Sequence, residues 1–142
     1  LTSGYKLSNL YATLGDIPAE NVLVLLDACF SGSQRSGEHI ASTRGVSIKV
    51  KLDAPKGNMV VFSAATGSET AHPYREKYHG LFTYYMLKKI QEQKGQLTLG
   101  ELSDFVTSNV SKTSLINNSK SQTPTLSPAH SMVDVWRELI IK

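Results

Sequence analysis

An α/β domain, with a mostly parallel sheet flanked by helices, is what this sequence predicts. Two continuous apolar runs, Val22-Leu23-Val24-Leu25-Leu26 and Met59-Val60-Val61-Phe62, have the length and the Val/Leu content of strands buried on both faces. Apolar residues recur at helical spacing before the first run and after the second, and such alternation of strand and helix selects a parallel sheet. The 142 residues amount to one domain with a sizeable core.

Each element follows from local pattern. Residues 6–15 read as a helix, because Leu7, Leu10, Tyr11 and Leu14 share a face and Gly15 stands where a C-cap glycine belongs. Pro18 marks the turn into the first buried strand. Residues 31–45 are rich in Ser, Gly and charge and read as a loop. Residues 46–52 alternate apolar and polar, as a short half-exposed strand does. Pro55 and Gly57 signal a turn before the second buried strand, residues 59–64. Residues 66–79 form a polar loop. A helix follows over 81–93, with Leu81, Phe82, Tyr85, Met86 and Ile90 on a broad apolar stripe, closing near Gly95. Thr98 and Glu101 have the spacing of a capping box and open a helix through Leu102, Phe105, Val106 and Val110. Residues 117–128 read as a Pro-containing loop, and the apolar stretch 132–141 fits either a helix or a strand.

Composition excludes several classes. With 40% hydrophobic and 19% charged residues the chain is an ordinary globular sequence. A net charge of +3, with Lys and Arg scattered rather than striped, gives no nucleic-acid footprint. The single cysteine excludes an internal disulfide framework and a Cys-rich zinc site, and the scattered histidines lack ligand spacing, so neither a metal nor a cofactor is expected. The longest aliphatic run, residues 22–26, is far below the roughly 20 residues needed to cross a bilayer, and no basic-then-apolar leader is seen, so a cytoplasmic protein without a membrane partner is expected.

The chemistry gathers at the end of the first strand, in Leu26-Asp27-Ala28-Cys29-Phe30-Ser31-Gly32. A lone cysteine in apolar surroundings is ordinarily a small buried hydrophobe. Here it follows an acid that a strand core does not tolerate without a partner, and it precedes a Ser/Gly turn that leaves the sulfur accessible. A buried strand that delivers a thiol to its carboxyl end places it on the functional edge of an open α/β sheet. The Gly32-Ser33-Gln34-Arg35-Ser36-Gly37 loop also sits where a phosphate loop sits, but Glu38-His39 stand in place of the required Lys-Ser/Thr.

This segment resembles the nucleophile strand of the caspase-like cysteine peptidases, above all the bacterial and metacaspase branch. Tyr5-Lys6-Leu7-Ser8-Asn9-Leu10-Tyr11, Val60-Val61-Phe62-Ser63-Ala64-Ala65, His79-Gly80-Leu81-Phe82-Thr83-Tyr84-Tyr85 and Gln122-Thr123-Pro124 are similar to further stretches of those proteins, in order. The resemblance implies the caspase-hemoglobinase fold, with helices on both sheet faces. It implies a thiol endopeptidase in which Cys29 is the nucleophile and its backbone N–H an oxyanion donor. Asp27 would then line the pocket for the residue before the scissile bond and select Arg or Lys in a peptide or protein substrate. Ser63, at the end of the second strand, would line the same cleft. A second pocket acid belongs in the loop after that strand, where Gly67 stands, with Glu69 two residues on.

The resemblance also requires a His-Gly pair upstream of the cysteine, and none precedes Cys29. His39, His72, His79 and His130 all follow it. His79-Gly80 mimics the pair, but its place before a long helix matches a non-catalytic stretch of the family. The catalytic His is therefore expected on sequence upstream of Leu1, in an amino-terminal portion of the same domain. The alternative is an inactive caspase-like scaffold or interaction domain. Arg35 and Arg44, in the polar loop after Cys29, are candidate self-cleavage sites, because a pocket floored by Asp27 accepts arginine and Gly/Ser-rich loops are readily nicked.

Overall fold

The computed structural model describes residues 5–28 and 54–141. Among them the elements are α1 (Leu7–Gly15), β1 (Val22–Leu26), β2 (Met59–Ser63), β3 (Pro73–Tyr74), β4 (His79–Gly80), α2 (Leu81–Glu92), β5 (Leu97–Thr98), α3 (Leu99–Asn118), β6 (Thr125–Pro128) and β7 (Ile140–Ile141), with short 3-10 turns near residues 75–77, 130–132 and 136–138. The strand expected over 46–52 lies outside the described residues.

β2 organises the domain. All five of its residues are buried, because both of its edges and both of its faces are covered. It pairs in parallel with β1, Val24 opposite Val61, and antiparallel with β6, Phe62 opposite Leu126. The described sheet is thus mixed, in the order β1-β2-β6. β6 was hidden in what reads as a loop: Pro124 precedes it, Pro128 is its last residue, and four residues are too few to show a period. Alternation along β2 feeds two cores, since successive strand residues point to opposite faces. Val60 and Phe62 join Leu81, Phe82, Leu102, Val106 and Val110 under α2 and α3. Met59 and Val61 join Tyr11, Val24, Leu7 and Leu14 under α1. Helices therefore cover both sheet faces, as an α/β domain requires.

Several local expectations meet corrections. β1 is not buried on both faces: Leu23 is 37% and Leu25 40% exposed, because α1 covers only the Val24 face. Gly15 ends α1 without a left-handed cap; Asp16 closes it in a helical conformation. Residues 66–79 are not only loop. They contain the antiparallel β3–β4 hairpin, Tyr74 opposite His79, whose two-residue strands carry no readable period. Residues 132–141 form neither a long helix nor a long strand, but 3-10 turns and then β7 paired with β5.

The helices follow their sequence signals closely. Thr98 and Glu101 form the capping box of α3: Thr98 Oγ1 accepts from Glu101 N at 3.2 Å, and Glu101 Oε2 accepts from Thr98 N at 2.9 Å. Phe82 of α2 meets Phe62 of β2 edge-to-face, ring centroids 4.8 Å apart, which docks the first turn of α2 onto the sheet. At the opposite end of the sheet, the Asn58 side chain donates to the carbonyls of Ala19 and Glu20 and ties the entry of β1 to that of β2.

Candidate active site

β1 and β2 run in parallel, so their carboxyl ends lie on one edge, and the ladder continues one step beyond them through Ala64 N to Leu26 O at 2.8 Å. Asp27 is the first residue past β1 and is half-buried. Its Oδ2 accepts a hydrogen bond from Thr83 Oγ1 at 2.5 Å. Thr83 lies in the first turn of α2, where the helix dipole favours a negative charge. Gly80, the residue capping α2, lies so close to the carboxylate that a Cβ there would overlap it. Asp27 and Thr83 floor a cleft of about 700 Å³ whose walls are Pro73, Tyr74, Arg75, Tyr78, His79 and Gly80 of the β3–β4 hairpin. Tyr78 holds a left-handed conformation, φ 56°, at the hairpin tip and is almost fully exposed at the cleft mouth. Tyr74 packs on Tyr84 at 5.0 Å and on Tyr85 at 6.2 Å, so the inner wall is an aromatic cluster backed by α2. Burial, together with the neighbouring Tyr85, Glu76 and Tyr84, holds the Tyr74 phenol above its ordinary range, so it stays neutral.

The carboxylate stands at the carboxyl edge of a parallel strand pair, two positions before the cysteine in the chain. The family model of the caspase domain matches residues 1–134. The chain belongs to the caspase-domain family. No curated protein and no solved structure matches it. Caspase-domain proteins are cysteine peptidases that act on peptide or protein substrates, and the mixed sheet covered by helices on both faces is the fold expected of one.

Within this caspase domain the residues singled out by sequence divide into three groups. Asp27 stands at the cleft floor. Cys29, Arg35 and Arg44 lie outside the described residues. Ser63 is at the same sheet edge, opposite Leu26, but it is only 3% exposed and is not among the residues that line the cleft.

Glu69 is engaged elsewhere. Its carboxylate accepts from Thr123 N at 2.7 Å, from Thr123 Oγ1 at 3.1 Å and from Thr66 N at 3.4 Å. Burial pushes this carboxyl up, and the bonds from Thr123 and Thr66 outweigh it, so Glu69 rests below the usual range. It ties the loop after β2 to the approach to β6 and does not line the Asp27 cleft.

Sequence reasoning gave Gln122 no role, and the structure gives it a large one. It is fully buried. Its Oε1 accepts from His72 N at 2.7 Å, its Nε2 donates to Ala64 O at 2.9 Å, and its own N–H donates to Ser114 Oγ at 3.1 Å. One side chain thus fixes both ends of the 64–72 loop, which leads from the sheet edge to the cleft wall. His72 is buried beside it, and its Nε2 has no hydrogen-bond partner among the described residues. Burial lowers the His72 pKa and nearby Lys120 lowers it further, against the weaker pull of Glu69, so this imidazole is neutral at pH 7. His79 is exposed on the cleft wall, paired with Tyr74. Gln122 and Thr83 lie in stretches that resemble the family, but no local pattern reveals what they do, since each acts on a partner more than fifty positions away.

Proposed function

We propose that this caspase domain is part of a cysteine endopeptidase that cleaves after Arg or Lys. In this reading Cys29 is the nucleophile and Asp27 recognises the basic residue before the scissile bond. The observation that carries it is the Asp27 carboxylate at the floor of an open cleft, two positions before Cys29 in the chain. A carboxylate there attracts a guanidinium or ammonium through charge-assisted hydrogen bonds and repels an Asp or Glu side chain. The reaction is acyl transfer: the Cys29 thiolate attacks the scissile carbonyl, a protonated base releases the amine, and water then hydrolyses the thioester. The backbone N–H of Cys29 is the natural donor to the oxyanion; one such donor is worth roughly 3 kcal/mol of barrier.

The base in this proposal is a His on sequence upstream of Leu1, in the amino-terminal portion of the same domain. The exposure of Leu23 and Leu25 supports it, as does the pairing of β1 with β2 alone among the described residues: one flank and one face of β1 are open to further polypeptide. The test is hydrolysis by the full-length protein of matched peptides carrying Arg, Lys, Asp or Leu before a reporter. Arg and Lys substrates are expected to be cleaved, Asp27→Asn to lose most of the basic preference, and Cys29→Ala to abolish turnover while leaving the circular dichroism spectrum unchanged. Preferential cleavage after Asp would overturn the specificity; absence of turnover with every substrate would favour the scaffold reading.

A further inference from the structure

We propose that Thr83 and Gly80 are positioning residues for Asp27, and that together they tune the cleft toward arginine over lysine; this rests on the reading of Asp27 as the specificity acid. Thr83 Oγ1 donates to Asp27 Oδ2 at 2.5 Å across 56 positions of sequence. The donor is held by the core rather than by a loop, because Leu81 and Phe82, the two residues before it in α2, are 0% and 1% exposed. The carboxylate is therefore gripped from behind by a rigid helix.

Gly80 supplies the second constraint. Its φ of −69° and ψ of 151° are open to any residue, so the backbone does not require glycine. A Cβ at this position, however, would overlap Asp27 Oδ2 and stand 3.1 Å from Asp27 Cγ. The glycine leaves room for the carboxylate. Thr83 and Gly80 thus confine Asp27 from two sides and fix the plane of its carboxyl group.

A fixed plane matters differently to the two basic side chains. The arginine guanidinium is a planar fork that bonds a carboxylate through two parallel hydrogen bonds, and this needs the carboxylate in one orientation. The lysine ammonium is a compact charge that tolerates rotation of its partner. Fixing Asp27 in advance removes the ordering cost for the arginine complex above all.

The experiment compares Arg and Lys peptides on the full-length enzyme carrying Thr83→Val, Thr83→Ser or Asp27→Asn. Thr83→Val keeps the shape and removes the donor. It is expected to lower kcat/KM for the Arg peptide by about tenfold, carried mainly by KM, and to lower that for the Lys peptide by less than threefold, so that the Arg:Lys ratio falls. Thr83→Ser is expected to restore the ratio. Equal losses on both peptides, or a wild-type ratio in Thr83→Val, would overturn the inference while leaving the Asp27 reading in place, provided Asp27→Asn abolishes the basic preference. An Asp27→Asn enzyme that keeps that preference would overturn both. A stability cycle supplies a readout free of turnover: Gly80→Ala is expected to lower Tm in the wild-type background and to leave it unchanged in the Asp27→Ala background. The same loss in both backgrounds would show that Gly80 does not serve Asp27.

Discussion

Replacing Gln122 by Leu removes the brace that closes the 64–72 loop and leaves the volume nearly unchanged. Two buried backbone groups lose their partner, the His72 N–H at 2.7 Å and the Ala64 carbonyl at 2.9 Å. Each buried group left unpaired costs about 1–3 kcal/mol, so the pair sums to roughly 4 kcal/mol. That is a large share of a typical stability of about 5–15 kcal/mol. At about 2–4 °C per kcal/mol for a domain near this size, Tm should fall by about 8–16 °C. The backbone N–H of Gln122 keeps its bond to Ser114 Oγ, so the loss isolates the side chain. Thermal unfolding followed by circular dichroism, with urea titration to check that the m-value is unchanged, reads the effect. Gln122→Glu makes a second comparison: it keeps an acceptor for His72 N but sets a buried carboxylate against the Ala64 carbonyl, so its deficit should shrink on acidification, as the protonated acid regains a donor. A Gln122→Leu protein within 2 °C of wild type would refute the reasoning, because the two groups would then have found other partners.

Further outcomes follow from the same contacts. Glu69 is held below its ordinary pKa by Thr123 and Thr66, so its stabilisation is present at neutral pH and is lost as pH falls below about 4.3 and through the lower folded value; the Tm difference between wild type and Glu69→Gln should be largest at pH 7 and vanish in strong acid. His72 is buried in its neutral form, so stability should fall as pH drops below about 6.5, and His72→Phe should flatten that limb of the Tm–pH curve. His79→Gln should change turnover less than tenfold, since loss of a general base costs about 10²–10⁴; a larger drop would make His79 the base. Self-cleavage after Arg35 or Arg44 should give new termini in wild type and none in Cys29→Ala or in the Arg35→Ala/Arg44→Ala double variant, read by mass spectrometry of the incubated proteins.

The sequence by itself determined what local periodicity and local chemistry encode. The apolar runs at β1 and β2, the stripes of α1, α2 and α3 and the Thr98–Glu101 capping box are short-range signals, and the folded chain uses them as written. The acid two positions before the single cysteine, at the end of a strand, is legible as a pattern without any fold at all. Tertiary structure decided everything that depends on a distant partner. β6 is a strand only because β2 offers it a ladder, and the β3–β4 hairpin has too few residues to declare itself. β1 read as doubly buried from its composition, but burial depends on what covers each face, and Leu23 and Leu25 meet no covering element among the described residues. Glu69 and Asp27 are both carboxylates near the sheet edge. Thr123 and Thr66 turn one into a structural tie, whereas Thr83 and Gly80 hold the other at the floor of an open cleft. Composition cannot distinguish the two roles, because a carboxylate's function is set by which donors reach it, and those donors come from segments that only folding brings together.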